Sequence, residues 1–144
     1  VAYLRSIYTA RRPGAPYVWP KQAGGKGGNH VIATLLGELR CAKPDRAVAL
    51  LDADCPPTSA KHREARQNGI EFIILAPCLE GLLLKVLGQK VPQSSQACKS
   101  RLKAIDCRDP FQPGFYAKHF PKGLLDAVRQ SVVELDALLS LFDD

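Results

Sequence analysis

The stretch that most limits the fold is Ala47-Val-Ala-Leu-Leu-Asp-Ala-Asp54. Apolar residues run without interruption into two aspartates separated by one residue. This pattern predicts a strand buried on both faces of a parallel sheet. A second run, Ile70 to Leu75, is again short and β-branched and predicts another strand. In open α/β sheets, ligands gather beyond the carboxyl ends of the strands, and Asp52 and Asp54 stand at that edge. Side chains two apart on a strand share a face, so two carboxylates can meet one Mg²⁺ or Mn²⁺ ion. The same spacing also suits one aspartate capping the following turn and the other solvated.

The remaining elements are read around this strand. Residues 1 to 16 are a basic segment in which Val1 to Tyr8 reads as a strand and Arg12 to Pro16 as a turn. Tyr17 to Trp19 reads as another short strand, ended by Pro20. The loop Ala23-Gly-Gly-Lys-Gly-Gly-Asn-His30 opens a helix, with Asn29 as its N-cap and Val31, Ile32, Leu35, Leu36 and Leu39 at helical spacing. Such a loop suits a flexible turn, or a phosphate cradle of backbone amides near Lys26. It has neither the P-loop nor the G-x-G-x-x-G spacing.

After Cys55-Pro-Pro57, Thr58 or Ser59 starts a polar helix that stops at Gly69. His62 on it reads as a surface residue. Glu80 follows the second strand; it suits either a third carboxylate of a cluster or a dipole-favoured acid in a first helical turn. A basic helix is expected over Ser95 to Ile105, then an irregular stretch over 106 to 114. Residues 121 to 142 read as one final helix, with Leu124, Val128, Val132, Leu135, Leu139 and Phe142 as its buried stripe.

The expectation is one α/β domain over residues 1 to 144, three-layered, with a mostly parallel sheet of about four strands. Charge and cysteines narrow the function. Twenty Lys and Arg against 14 Asp and Glu leave a net charge of +6, which suits a polyanionic partner. The five cysteines form no C-x-x-C pair, so neither a zinc ribbon nor a disulfide framework is supported. No apolar run approaches a membrane span and no signal-peptide pattern opens the chain. A cytoplasmic protein without a membrane partner is expected, and a homodimer is compatible with the sequence.

Three pieces carry a family resemblance: Pro44-Asp-Arg-Ala-Val-Ala-Leu-Leu-Asp-Ala-Asp54, the strand and Pro77-Cys-Leu-Glu80 within residues 69 to 84, and Tyr116-Ala-Lys118. Over about residues 17 to 142 the chain resembles TOPRIM-like nucleases, closest to the RloB-type branch beside bacterial restriction and phage-defence genes. The resemblance implies a Mg²⁺- or Mn²⁺-dependent endonuclease acting on DNA or RNA. Asp52 and Asp54 would hold the metal, with Glu80 as a third catalytic carboxylate; Lys26, Asn29, His30 and Lys118 would steady the phosphate. A partner protein of a defence or restriction system is also implied.

The family carries a glutamate in its first strand-to-helix loop, whereas residues 18 to 37 here hold no acid. Two close metal ions need several carboxylates to offset their charge. Weak or absent cleavage is therefore expected, and an inactive module that binds nucleic acid or a partner protein is the alternative. A receiver domain would need an acidic pair after its first strand, and a D-x-D-x-[TV] phosphatase would need Thr or Val where Pro56 stands; neither pattern is present.

Overall fold

In the computed structural model, which describes residues 1–9, 13–107 and 112–143, the two apolar runs pair as parallel strands. Strand β1 (Ala47–Asp52) lies beside β2 (Ile70–Leu75), with Ala47 opposite Ile70 and Asp52 opposite Leu75. Parallel neighbours need a crossover, and helix α3 (Ser59–Gln67) supplies it. Thr58 caps α3 by accepting the Lys61 N–H, and Gly69 turns the chain at φ +71°. Helix α2 (Gly28–Leu39) precedes β1.

Alternation decides which face these helices cover. Ala47, Ala49 and Leu51 share a face with Ile70 and Phe72 in the observed register. Ile32 of α2 and Ala65 of α3, both fully buried, pack into that face with Ala49, Leu51 and Ile70. At the amino end of the sheet, Arg46 grips Glu71 through two hydrogen bonds of 3.0 and 2.8 Å. The Arg46 hydrogen bonds hold the Glu71 carboxyl below its ordinary range.

The chain forms two compact units, Lys21–Leu79 and a second built from Val1–Pro20 with Glu80–Asp144. The second unit is helical: α1 (Ala2–Tyr8), nearly all of α4 (Leu79–Val86), α5 (Ser95–Ile105), α6 (Pro113–His119), α7 (Lys122–Val128) and α8 (Val133–Leu139). Short 3-10 turns follow α7 at Arg129–Ser131 and α8 at Ser140–Phe142. Leu84, Phe115, Phe120, Leu139 and Phe142 are among its buried side chains.

Several expectations are corrected. The described residues form two strands, not about four, and a three-layer sheet is not seen. The segment expected as a strand over Val1 to Tyr8 is instead helical over Ala2–Tyr8; Tyr3, Leu4, Ile7 and Tyr8 are on its half-buried face. Tyr17 to Trp19 is no strand, and Tyr17 and Trp19 are 80% and 61% exposed.

The single helix expected over 121 to 142 breaks. Pro121 is the N-cap of α7, and Val132 is extended at φ −124°, ψ +94°. The expected stripe is nevertheless buried at Val132, Leu135, Leu139 and Phe142. Arg11 and Arg12 of the basic segment, and residues 108–111 of the irregular stretch, lie outside the described residues. No helix among the described residues is long and apolar enough to cross a membrane.

Candidate nucleic-acid and metal site

Asp52 is the last residue of β1, and Asp54 lies in the turn that follows. That turn is fixed by backbone bonds. The Ala53 N–H donates to Leu75 O at 2.9 Å, Asp54 N–H to Pro77 O at 3.2 Å and Cys55 N–H to Asp52 O at 3.2 Å. The Asp52 side chain accepts the Leu79 N–H at 3.0 Å. One of its oxygens thus caps the chain leaving β2, as the turn-cap reading of the spacing allows. Both aspartates are exposed.

The glycine loop packs against this turn. Gly27, the N-cap of α2, has φ +81°, and a Cβ there would sit 2.8 Å from Cys55 Sγ. At Gly28 a Cβ would fall 2.7 Å from Pro57 N and 2.9 Å from Cys55 O. Close approach of two backbones therefore explains glycine at position 28, and the left-handed φ explains it at position 27. The Gly28 N–H donates to Cys55 O at 3.1 Å and the His30 N–H to Gly27 O at 3.1 Å. Two of the four amides from Gly27 to His30 thus already serve the fold, which narrows the phosphate cradle.

Asn29 is not the N-cap, because α2 begins at Gly28 and Gly27 caps it. Its Oδ1 instead accepts the Thr58 N–H at 2.8 Å, and this ties the start of α2 to the start of α3. Lys26 is exposed and His30 half-buried. Lys26, Asn29, His30, Asp52 and Asp54 all belong to the Lys21–Leu79 unit. Glu80 and Lys118 belong to the other unit. Glu80 lies in the first turn of α4, as the dipole reading expects. Lys118 pairs with Asp106 at 3.4 Å, beside the 2.7 Å contact of His119 with the same carboxylate.

No group of three His, Cys, Asp or Glu placed to hold a metal ion occurs among the described residues. Of the carboxylates expected to meet a cation, Asp52 and Asp54 lie in one unit and Glu80 in the other. Two exposed carboxylates suit a hard ion that keeps most of its water, as Mg²⁺ does.

Helix α3 carries a cluster of planar side chains absent from the expected site. His62 stacks flat on Phe72, with ring centroids 4.6 Å apart and planes 10° apart. The Arg66 guanidinium lies 5.9 Å from the same ring centroid. An open cleft runs beside α3, lined by Leu51, Pro56, Pro57, Ser59, His62, Arg63, Arg66, Gln67 and Ile74. The signal for it was the recurrence of Ser59, His62, Arg63 and Arg66 at helical spacing. Comparison with family models, with curated proteins and with solved structures finds no match for this chain.

Proposed function

We propose that the Lys21–Leu79 unit is a nuclease-derived, metal-assisted domain acting on nucleic acid phosphodiesters. The observation that carries the reading is the position of Asp52 and Asp54. They stand at the carboxyl end of a parallel strand, against the starts of α2 and α3. Asp52 and Asp54 would hold Mg²⁺. When bound, such an ion supplies Lewis-acid polarisation of a phosphoryl oxygen and lowers the pKa of bound water. Lys26 would attract the phosphate by charge, and the α2 N-terminus would favour it through the helix dipole. The likeness to TOPRIM-like, RloB-type nucleases supports the same reading and carries the expectation of a role in phage defence.

The second reading is a module that binds nucleic acid or a partner protein without cleaving. It is favoured by the lack of a three-member ligand group among the described residues. One experiment separates them. Plasmid and single-stranded substrates are incubated with Mg²⁺ or Mn²⁺, alongside Asp52→Asn and Asp54→Asn. Slow metal-dependent nicking lost in both variants supports the nuclease-derived reading. Binding without nicking, unchanged in both variants, supports the module.

A further inference from the structure

We propose that the cleft beside α3 holds single-stranded nucleic acid, its bases against the apolar floor and its phosphates on the arginines. The inference rests on the nucleic-acid reading above and deepens it by naming the strand state and the residues that select it. The floor is open where a sheet is usually covered. Ile74 is 53% exposed although its neighbours Ile73 and Leu75 are buried, and parallel strands ordinarily hide both faces. The wall is cationic and planar. His62 and Arg66 are both held against Phe72, so their orientation is set before any ligand arrives.

Charge and position together single the wall out. Lys21, Arg46 and Lys61 of this unit each pair with a carboxylate. Among the described residues no carboxylate pairs with Lys26, Arg40, Lys43, Arg63 or Arg66, and of these only the last two line the apolar cleft. A paired base hides its faces in the stack, whereas an unpaired base can lie on an apolar floor while guanidinium groups meet the adjacent phosphates. The cleft residues Leu51 and Pro56 bracket Asp52 and Asp54 in the chain, so a strand in the cleft runs beside the turn that carries the aspartates.

The test is fluorescence anisotropy of a labelled oligothymidylate of about 12 nucleotides, with the full chain in EDTA so that metal plays no part. Arg63→Gln and Arg66→Gln should each weaken binding by about three- to tenfold. Each should also lower the salt slope by about 0.7. Ile74→Ala should weaken binding by about threefold at unchanged salt slope. Lys43→Gln, an exposed cation outside the cleft, should leave binding as it was.

Four results would overturn the proposal: no binding of the oligonucleotide, equal affinity for duplex, losses at Lys43 as large as at Arg63, or displacement by polyglutamate as effective as by unlabelled oligonucleotide. Nicking that disappears with Asp52→Asn is scored separately. Its presence beside an insensitive cleft would sink this inference while leaving the proposed function standing.

Discussion

The Lys21–Leu79 unit and the unit formed by the two ends of the chain differ in how their elements are held. In the first, two strands and two helices share one cluster around Ile32, Ala49 and Ile70. In the second, four of the helices have only seven residues, too few to be stable alone. Contacts across most of the chain fasten them. Tyr3 donates to Phe120 O at 2.8 Å, and its ring stacks 5.6 Å from Tyr116. Tyr8 donates to Asp126 at 2.6 Å and stacks 6.1 Å from Phe142. Burial, and then the Asp126 contact, raise the Tyr8 phenol above its ordinary pKa. One unit is organised by hydrophobic period, the other by particular side chains distant in sequence.

The largest effects should come from the two cores. Phe115→Ala should cost about 3–5 kcal/mol and Ile32→Ala about 2–5 kcal/mol, measured by urea unfolding. Hydrogen exchange should localise the lost protection to the helices of the terminal unit for Phe115, and to α2, β1 and β2 for Ile32. Loss spread evenly over both units by either variant would erase the distinction.

A smaller effect compares two glycines of one helix. Gly28→Ala places a methyl against Pro57 and Cys55 backbone and should cost about 1–3 kcal/mol. Gly37→Ala meets nothing within 4 Å and should stabilise by about 0.5 kcal/mol. A neutral Gly28→Ala would show that α2 does not need its close approach to that turn.

The smallest effect depends on pH. Burial raises the Glu134 carboxyl, but the Lys85 hydrogen bond at 2.6 Å and its charge outweigh it, and the net shift is downward. A depressed folded-state pKa adds stability above the unfolded value, and that stability is lost as pH falls through the folded value. Glu134→Gln should therefore cost about 0.5–1 kcal/mol at neutral pH and little once the carboxyl is protonated. Urea midpoints at both ends of the range check it; equal losses would remove the ion pair from the account.

The same contrast explains what could be read in advance. Ile70–Leu75 and Ser95–Ile105 form where their patterns place them, because burial on a sheet or on one helix face follows local period. Val1 to Tyr8 resists such reading: its aromatic and β-branched residues favour a strand, while Tyr3, Leu4, Ile7 and Tyr8 stand at the spacing of the helix that forms. The break at Val132 carries no glycine or proline. Its only local sign is the β-branched pair Val132–Val133, worth about 0.5 kcal/mol per residue. Arg129 spans the break, reaching Asp136 and Asp143 at 2.6 Å each, and that pairing is invisible to periodicity. At the site, the D-x-D edge was legible from the apolar run. The approach of Gly28 to Pro57, and the stacking of His62 and Arg66 on Phe72, depend on the chain returning to itself.

The most direct test of the central claim is calorimetric titration of Mn²⁺ into the full chain, Asp52→Asn and Asp54→Asn, without nucleic acid. The account predicts one weak site on the parent chain, with affinity in the millimolar range expected of few carboxylates, lost in both variants. No heat from the parent chain, or an undiminished site in either variant, would contradict it.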